Sequence, residues 1–347
     1  MKTFLPSITV FRLFPLYSFL IISLTLPWCL VLPLFADNDT LNVLLVSGSV
    51  DSENLDETAR LINSLLLHAT CPLNFYVITG HGSNTFLTDY VNRLKMHNIH
   101  RHKPFSFQFQ ELELTFVNNS LSHLELDHHS GSYGYSKLLL DKFWDINHGL
   151  YLDTDMIVTT DPCPYFLNLR TLLRSHRRAL AMAYQFSNSK NGFEPHVKYK
   201  CSGTLFFNFD EIRAIDFLGE LLSMAFATMY PNGLPPKHLI GKKADYVTRG
   251  DQDYFWMLTN IYKDKTWPIS MSWSLEFCHS FHGFQLPVPL EGQPPDSFGN
   301  ELFMGALHLN CLGFTDRPPL ENSHPKIYEV VQFYSSISPF ILSLLIK

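Results

Sequence analysis

Short apolar runs and amphipathic stretches follow one another in the first part of the chain after residue 40. Residues 41–46 and 75–78 are continuous apolar runs, which is the pattern of strands buried on both faces of a parallel sheet. Each run precedes a stretch, 57–67 and 86–96, in which apolar residues recur at helical spacing. This strand–helix–strand–helix beginning predicts an α/β fold with a nucleotide-binding sheet.

The later part of the chain extends this scheme with more strands and helices. A polar stretch rich in glycine, asparagine and lysine, 186–200, is expected to be a loop. The C-terminal segment 326–347 is expected to hold a helix, 326–336, and then an apolar tail. Further strands are expected at 116–117, 179–183, 201–208 and 304–311, and further helices at 133–144, 212–229 and 254–261.

The N-terminal region carries a charge-free apolar stretch at 13–36. Its length of about 24 residues is enough for a helix to cross a bilayer. Lys2 and Arg12 precede it and acidic residues follow it, which predicts a cytosolic tail at 1–12 and a lumenal remainder. A cleaved signal peptide is the alternative. Both interpretations place the rest of the chain in the secretory pathway, and we expect a single-pass type II protein of the endoplasmic reticulum or Golgi membrane.

Composition and charge narrow the possible functions. The chain has 347 residues, 46% of them hydrophobic, so it can bury a sizeable core. Its formal net charge is -6 and no block of Lys and Arg stands out, which argues against nucleic acid as a partner. Two glycosylation sequons begin at Asn38 and Asn118, in agreement with a lumenal location. Disulfides are permitted there, but spacing alone does not assign the pairs among Cys71, Cys163, Cys201, Cys278 and Cys311.

Two carboxylates interrupt an apolar segment at 149–158. Asp153 and Asp155 come directly after a strand-like run, and apolar residues resume at once. Ligands bind at the carboxyl ends of strands in α/β proteins, and carboxylate oxygens suit a hard divalent cation. A polar turn without a metal is an equally good interpretation of this segment alone. Other nucleotide and hydrolase motifs are missing, because Gly80-His81-Gly82 lacks the third glycine of a dinucleotide fingerprint and there is no P-loop or nucleophile elbow.

Four landmarks occur in a fixed order along the chain: Asp153-x-Asp155, Ser202-Gly203 followed by Asn208, Gly250-Asp251-Gln252, and His308-x-Asn310. This ordered set resembles that of the retaining glycosyltransferases of the glycogenin-like family, family 8. The resemblance covers about residues 41–325 and implies a lumenal catalytic domain with the GT-A fold, a single Rossmann-like mixed sheet flanked by helices.

Residues 250–257, with Trp273, Cys278 and the segment 308–311, are most similar to xyloside xylosyltransferases. That similarity implies transfer of xylose from UDP-xylose to a xylose, or a glucose, on O-glucosylated EGF-like repeats. Two alternatives stay open. One is a lumenal transferase of the same fold that uses UDP-glucose or UDP-galactose, and the other is a membrane-anchored binding protein with a degenerate site.

The resemblance also assigns roles to residues. Asp155 and His308 are expected to bind Mn²⁺, or Mg²⁺, with Asp153 shared between the metal and the ribose, and an imidazole ligand favours Mn²⁺. Asp251 is expected to hold donor-sugar hydroxyls, and Gln252 to orient the reacting groups. The remaining donor-binding residues are expected to be Ser47 and Ser49 for the nucleotide, Lys137 for the diphosphate, and Ser202, Gly203 and Asn310.

Two residues depart from the family pattern. Cys201 stands where relatives carry an asparagine that touches the donor sugar, and Leu309 stands where relatives often carry glycine. Loss of the asparagine at Cys201 puts the donor identity or the activity in question. Separately, the bulkier Leu309 beside the diphosphate could narrow the site. Trp273 is either an acceptor-sugar platform or a core residue.

Overall fold

In the computed structural model, the described part of the chain begins at Asp39. The expected signal anchor at 13–36 lies outside the described residues, within which no helix is both long and apolar enough to cross a bilayer. The described residues are 39–48, 52–121, 131–189, 192–217, 219, 251–252, 254–255, 259, 262–276, 305–309 and 325–346.

A seven-stranded mixed sheet forms the centre of the fold, in the order β3-β2-β1-β4-β7-β6-β8. The first four strands in this order are parallel, and β4–β7 and β7–β6 are antiparallel pairs. The predicted α/β sheet with its parallel beginning is therefore confirmed. The strands are β1 Leu41–Ser47, β2 Leu73–Thr79, β3 Phe105–Glu111, β4 His148–Leu152, β6 Leu180–Ser189, β7 Gly192–Asn208 and β8 Thr266–Ile269.

A second, three-stranded sheet corrects the expectation of a single sheet. Its order is β5-β10-β9, with β5 Met156–Val158, β9 Leu275–Glu276 and β10 Ala306–His308. Strand β5 starts four residues after β4 ends, so the turn that carries the two carboxylates connects the two sheets. The late strand expected at 304–311 pairs here, antiparallel to β5.

Helices cover both faces of the large sheet. Val43 and Leu45 of β1 point into one core, and Leu44 and Val46 point into the other, as the period of a strand requires. The helices are α1 Ser52–His68, α2 Ser83–Met96, α3 Ile99–His102, α4 Leu114–Ser120, α5 Gly131–Tyr135, α6 Leu140–Phe143, α7 Cys163–Ser175, α8 Phe209–Ala214, α9 Pro325–Ser336 and α10 Pro339–Leu345.

Two predictions of local structure are wrong. Residues 116–117 lie in helix α4, and the edge strand is instead β3, whose residues 105–111 alternate between half-buried and exposed. The polar residues expected as a loop at 186–200 belong to the β6–β7 hairpin, in which Phe186 pairs with Pro195 and Ser189 with Gly192. Backbone pairing satisfies the polar groups of a hairpin whatever its side chains are, so composition misled the prediction.

The C-terminal helices are fixed to α1 by specific contacts. Asn63 Nδ2 donates to the carbonyl of Ile337 at 2.7 Å, and the rings of His68 and Tyr334 meet through a 2.6 Å hydrogen bond. The tail expected after α9 forms helix α10, and the Ser338 hydroxyl caps it by accepting from the Ile341 amide.

A disulfide joins Cys71 before β2 to Cys163 at the start of α7, across 92 residues of chain. Such a crosslink restricts the unfolded chain over a long loop, and its loss typically costs about 2–5 kcal/mol. We expect the double variant Cys71→Ala, Cys163→Ala to lower the free energy of unfolding in urea by that amount. Dithiothreitol should destabilise the natural protein and leave the double variant unchanged, and equal sensitivity of both to the reductant would contradict the prediction.

Candidate metal and nucleotide-sugar site

The two carboxylates lie in the turn that joins the two sheets, at the carboxyl end of β4. The Asp153 amide donates to the Gly203 carbonyl at 2.9 Å, and the Met156 amide donates to the Asp153 carbonyl at 3.2 Å. Leu152 is paired with Thr204 in the β4–β7 register, so Ser202 and Gly203 lie directly beside the turn. The turn is therefore held by backbone bonds on both sides.

The small sheet brings His308 to the same turn. In the β10–β5 register His308 is opposite Met156, and the Leu309 amide donates to the Asp155 carbonyl at 3.0 Å. His308 Nε2 lies 3.3 Å from Asp155 Oδ1 and 3.6 Å from Asp153 Oδ2. One ligand atom from each of the three side chains lies within 4.8 Å of the others. The three predicted metal ligands are therefore brought together.

Gly203 and Cys201 hold the imidazole from its other side. A Cβ on Gly203 would lie 2.4 Å from His308 Cε1, so the ring needs a glycine at this position. The Cys201 sulfur lies 3.4 Å from His308 Nδ1 and also accepts from the Gly203 amide at 3.3 Å. A sulfur in this place favours a proton on Nδ1, which leaves Nε2 for the carboxylate side.

A buried lysine connects the turn to the segment that opens at 251. Lys137 is 6% exposed, and its ammonium lies 2.9 Å from both Asp153 Oδ1 and Asp251 Oδ2. The Lys137 ammonium also lies 3.4 Å from the Ser202 hydroxyl and over the ring of Tyr151. Tyr151 donates its hydroxyl to Asp153 Oδ1 at 2.6 Å. Asp153 thus has one oxygen committed to Lys137 and Tyr151, and the other facing His308.

The opposite charges in this group stabilise the ionised form of each member. Burial alone would lower the pKa of Lys137, but Asp153 and Asp251 raise it well above its usual range, so the ammonium stays charged. Burial would also lower the pKa of His308, but Asp155 and Cys201 raise it well above its usual range. Burial raises the pKa of Asp153, but Lys137 and then His308 outweigh it, and the carboxyl stays ionised. A cation at His308 Nε2 therefore has to displace a proton.

The residues present fit a divalent metal ion. The group contains three carboxylates, of which two pair with Lys137 and the third, Asp155, faces His308, so it keeps excess negative charge when His308 is neutral. Carboxylate oxygens combined with an imidazole nitrogen suit Mn²⁺ better than Mg²⁺ or Ca²⁺. Asp155 and one oxygen of Asp153 are free of the lysine, and both face His308 Nε2.

The other predicted residues fall into three groups. Asp251 is 4% exposed and joins the cluster through Lys137, and Gln252 is half-buried next to it. The Ser47 hydroxyl is fully buried and bonded to Asn54 and Thr58 of α1, so it organises the end of β1. Ser49, Asn310 and Gly250 lie outside the described residues, and their roles stay predictions.

Two of the doubts raised by the sequence are settled by burial. Leu309 is 4% exposed and packs in the core, so its side chain does not narrow the site. Trp273 is fully buried against Phe166, so it is a core residue and the interpretation as an acceptor-sugar platform is wrong. Sequence reasoning missed Tyr151 as a partner of Asp153. Tyr151 is the last but one residue of β4, two positions before Asp153, and this close spacing was the available signal.

Comparison with known proteins supports the fold. No protein-family profile matches the chain. Among curated proteins, the xylosyl- and glucuronyltransferase LARGE1 of Danio rerio is 25% identical over 135 residues, which are 38% of this chain and 16% of LARGE1. The match thus spans only a small part of that relative.

Solved glycosyltransferase structures superpose on most of the chain. Mouse xyloside xylosyltransferase 1 matches 78% of this chain and 98% of its own, with a TM-score of 0.50 and 16% identity. An active-site mutant of LgtC matches 85% of this chain and 95% of its own, with a TM-score of 0.55 and 12% identity. GlyE of Streptococcus pneumoniae matches 88% of this chain and 62% of its own, with a TM-score of 0.54 and 17% identity. The chain therefore has a GT-A-like fold.

The Lys137 ion pairs predict a large loss of stability when the ammonium is removed. Lys137→Ala leaves Asp153 and Asp251 without their shared cation, and breaking a buried pair costs about 3–5 kcal/mol. We expect the low end of that range from urea unfolding, because Asp153 keeps 24% of its side chain exposed. The matched control is Lys142→Ala, whose half-exposed ammonium pairs with Asp141 and should cost less than about 1 kcal/mol. Equal effects of the two variants would contradict this account.

The Cys201 contact predicts an effect on metal binding. Cys201→Ala removes the acceptor at His308 Nδ1, and loss of such a supporting partner typically weakens metal affinity about 10–100-fold. Cys201→Ser keeps an acceptor and should lose less. Titration of Mn²⁺ followed by the electron spin resonance of the free ion measures both affinities. An unchanged affinity in Cys201→Ala would show that the sulfur does not support His308.

Proposed function

We propose that this chain is a retaining glycosyltransferase that uses a UDP-sugar, with UDP-xylose as the donor and Mn²⁺ as the metal. The observation that carries the proposal is the joint placement of Asp153, Asp155 and His308 at the end of β4. Ligands of α/β folds bind at the carboxyl ends of strands, which supports a nucleotide-sugar diphosphate at this edge of the sheet. The excess negative charge of the cluster favours a cation between it and the diphosphate.

The metal-binding residues are proposed to be Asp155, His308 and the free oxygen of Asp153. A bound divalent cation supplies Lewis-acid stabilisation of the departing diphosphate. Lys137 pairs with two carboxylates, so it fixes the positions of Asp153 and Asp251 relative to each other. It also adds positive charge near the proposed diphosphate site. Asp251 keeps its second oxygen for hydroxyl groups of the donor sugar.

The reaction is proposed to proceed on one face of the sugar. The bond from the anomeric carbon to the diphosphate oxygen breaks, the acceptor hydroxyl oxygen bonds to that carbon, and its proton passes to the leaving phosphate oxygen. A covalent route needs a free carboxylate near the anomeric carbon. Asp251 is paired with Lys137 and Gln252 carries an amide, so neither suits that role. Gln252 instead orients the sugar.

The xylose assignment rests on the similarity at 250–257 and 308–311 to xyloside xylosyltransferases. Cys201 is 1% exposed and its sulfur contacts His308 Nδ1, so this departure from the family pattern acts on the proposed metal ligand. We propose glycosylated EGF-like repeats as acceptors, and the endoplasmic reticulum or Golgi membrane, with a signal anchor at 13–36, as the location. UDP-glucose or UDP-galactose as donor, and a non-catalytic binding protein, are the competing functions.

A donor screen tests the proposal. We expect UDP release from UDP-xylose with a xylosyl-glucoside acceptor and Mn²⁺, and little release after the metal is removed with a chelator. Asp155→Asn should lower the rate at least about 100-fold, because it removes a metal ligand. The matched control Asp264→Asn alters an exposed carboxylate and should keep the rate. Release only from UDP-glucose or UDP-galactose would refute the xylose assignment, and no release from any donor would favour the binding protein.

A further inference from the structure

The C-terminal helices carry most of the large apolar side chains that the described residues expose. On α10 the exposed fractions reach 56% for Phe340 and 50% for Leu344. The full set on α9 and α10 is Phe333, Phe340, Ile341, Leu344 and Leu345. Exposed single apolar residues are ordinary, but a contiguous set is typical of a binding surface.

This apolar surface lies on a firmly placed helix. Leu342 and Pro339 of α10 are buried, and α10 packs on α1, α2 and α3. The exposed residues of α10 recur at helical spacing on the opposite side, where a helix facing water is normally polar. Helix α10 thus buries one apolar face in the protein core and exposes a second apolar face that is available for binding.

A basic segment lies beside this face. The ring of His97 is 5.8 Å from the ring of Phe340, which places the end of α2 next to α10. Residues 93–103 contain four Lys and Arg, three His and no acidic residue, in a chain of net charge -6. Arg93, Lys95 and Arg101 are exposed, and Met96 between them is 75% exposed.

We propose that the α10 face and the basic segment 93–103 together dock on the surface of an anionic lipid bilayer. An amphipathic helix lies in the headgroup region when its apolar face enters the acyl boundary and cations meet the lipid phosphates. Each Lys or Arg near such a surface strengthens binding about fivefold. In this chain the exposed apolar residues of α10 lie beside the Lys and Arg of 93–103. The positive charge of that segment favours anionic lipid over a purely apolar partner.

This inference does not depend on the proposed enzyme activity, but its energetics rest on the proposed signal anchor at 13–36. A chain anchored there would lie close to a bilayer, so the contact would only have to orient the domain at high effective concentration. Stable membrane attachment commonly combines two signals. The anchor would be one and the α10 face with the basic segment the other, so weak apolar and ionic contacts would suffice.

The test uses the full chain incorporated in vesicles that contain brominated phosphatidylcholine, which quenches tryptophan at acyl depth. Leu344→Trp reports on the α10 face. The matched control is Leu114→Trp, on α4, where the residue is 42% exposed but lies beside Glu111 and Glu113. Emission of the natural protein, which has five tryptophans, is subtracted.

We expect strong quenching of Leu344→Trp in vesicles containing phosphatidylserine, and little quenching of Leu114→Trp. Adding Lys95→Glu and Arg101→Glu to Leu344→Trp should reduce the quenching severalfold, while circular dichroism confirms that the variant is folded. Equal quenching of the two tryptophans would overturn the proposal, and so would quenching that is the same without anionic lipid. A concentration-dependent blue shift of Leu344→Trp in lipid-free detergent would instead assign the face to a second copy of this chain.

Discussion

The candidate site depends on one buried ammonium group, that of Lys137. It lies 2.9 Å from a carboxylate in the turn after β4 and 2.9 Å from another at position 251, which are almost a hundred residues apart in the chain. Each of these three charges would be costly to bury alone. The ion pairs offset the cost of burying these charges. They also orient Asp153, so that Oδ1 contacts Lys137 and Oδ2 faces His308.

The second constraint is the register between the two sheets. Backbone bonds join Asp153 to Gly203 of the large sheet and Asp155 to Leu309 of the small sheet. A shift of one residue in β10 would turn His308 away from the carboxylates, because neighbouring side chains point to opposite faces. The site is thus a consequence of strand pairing, and Gly203 is needed because the imidazole ring occupies the space of its missing side chain.

Sequence patterns predicted the parts of this arrangement that have strong local signals. Apolar runs located β1, β2 and β4, and the ordered landmarks selected Asp153, Asp155 and His308 as metal ligands. The second sheet has strands of two or three residues, too short for a periodic pattern. The strands expected at 179–183 and 201–208 are present in β6 and β7, but their extension through 186–200 was missed because backbone pairing tolerates a polar, glycine-rich sequence. The Cys201–His308 contact joins residues 107 apart in the chain, which no local pattern could reveal.

The central claim is that Asp153, Asp155 and His308 hold a divalent cation. Anomalous diffraction from crystals of the protein soaked in Mn²⁺ tests this claim most directly. The account predicts a manganese peak within coordination distance of all three side chains in the natural protein, and no peak there in crystals of Asp155→Asn. Manganese bound only elsewhere, with Lys137 and His308 unmoved at the turn, would contradict it.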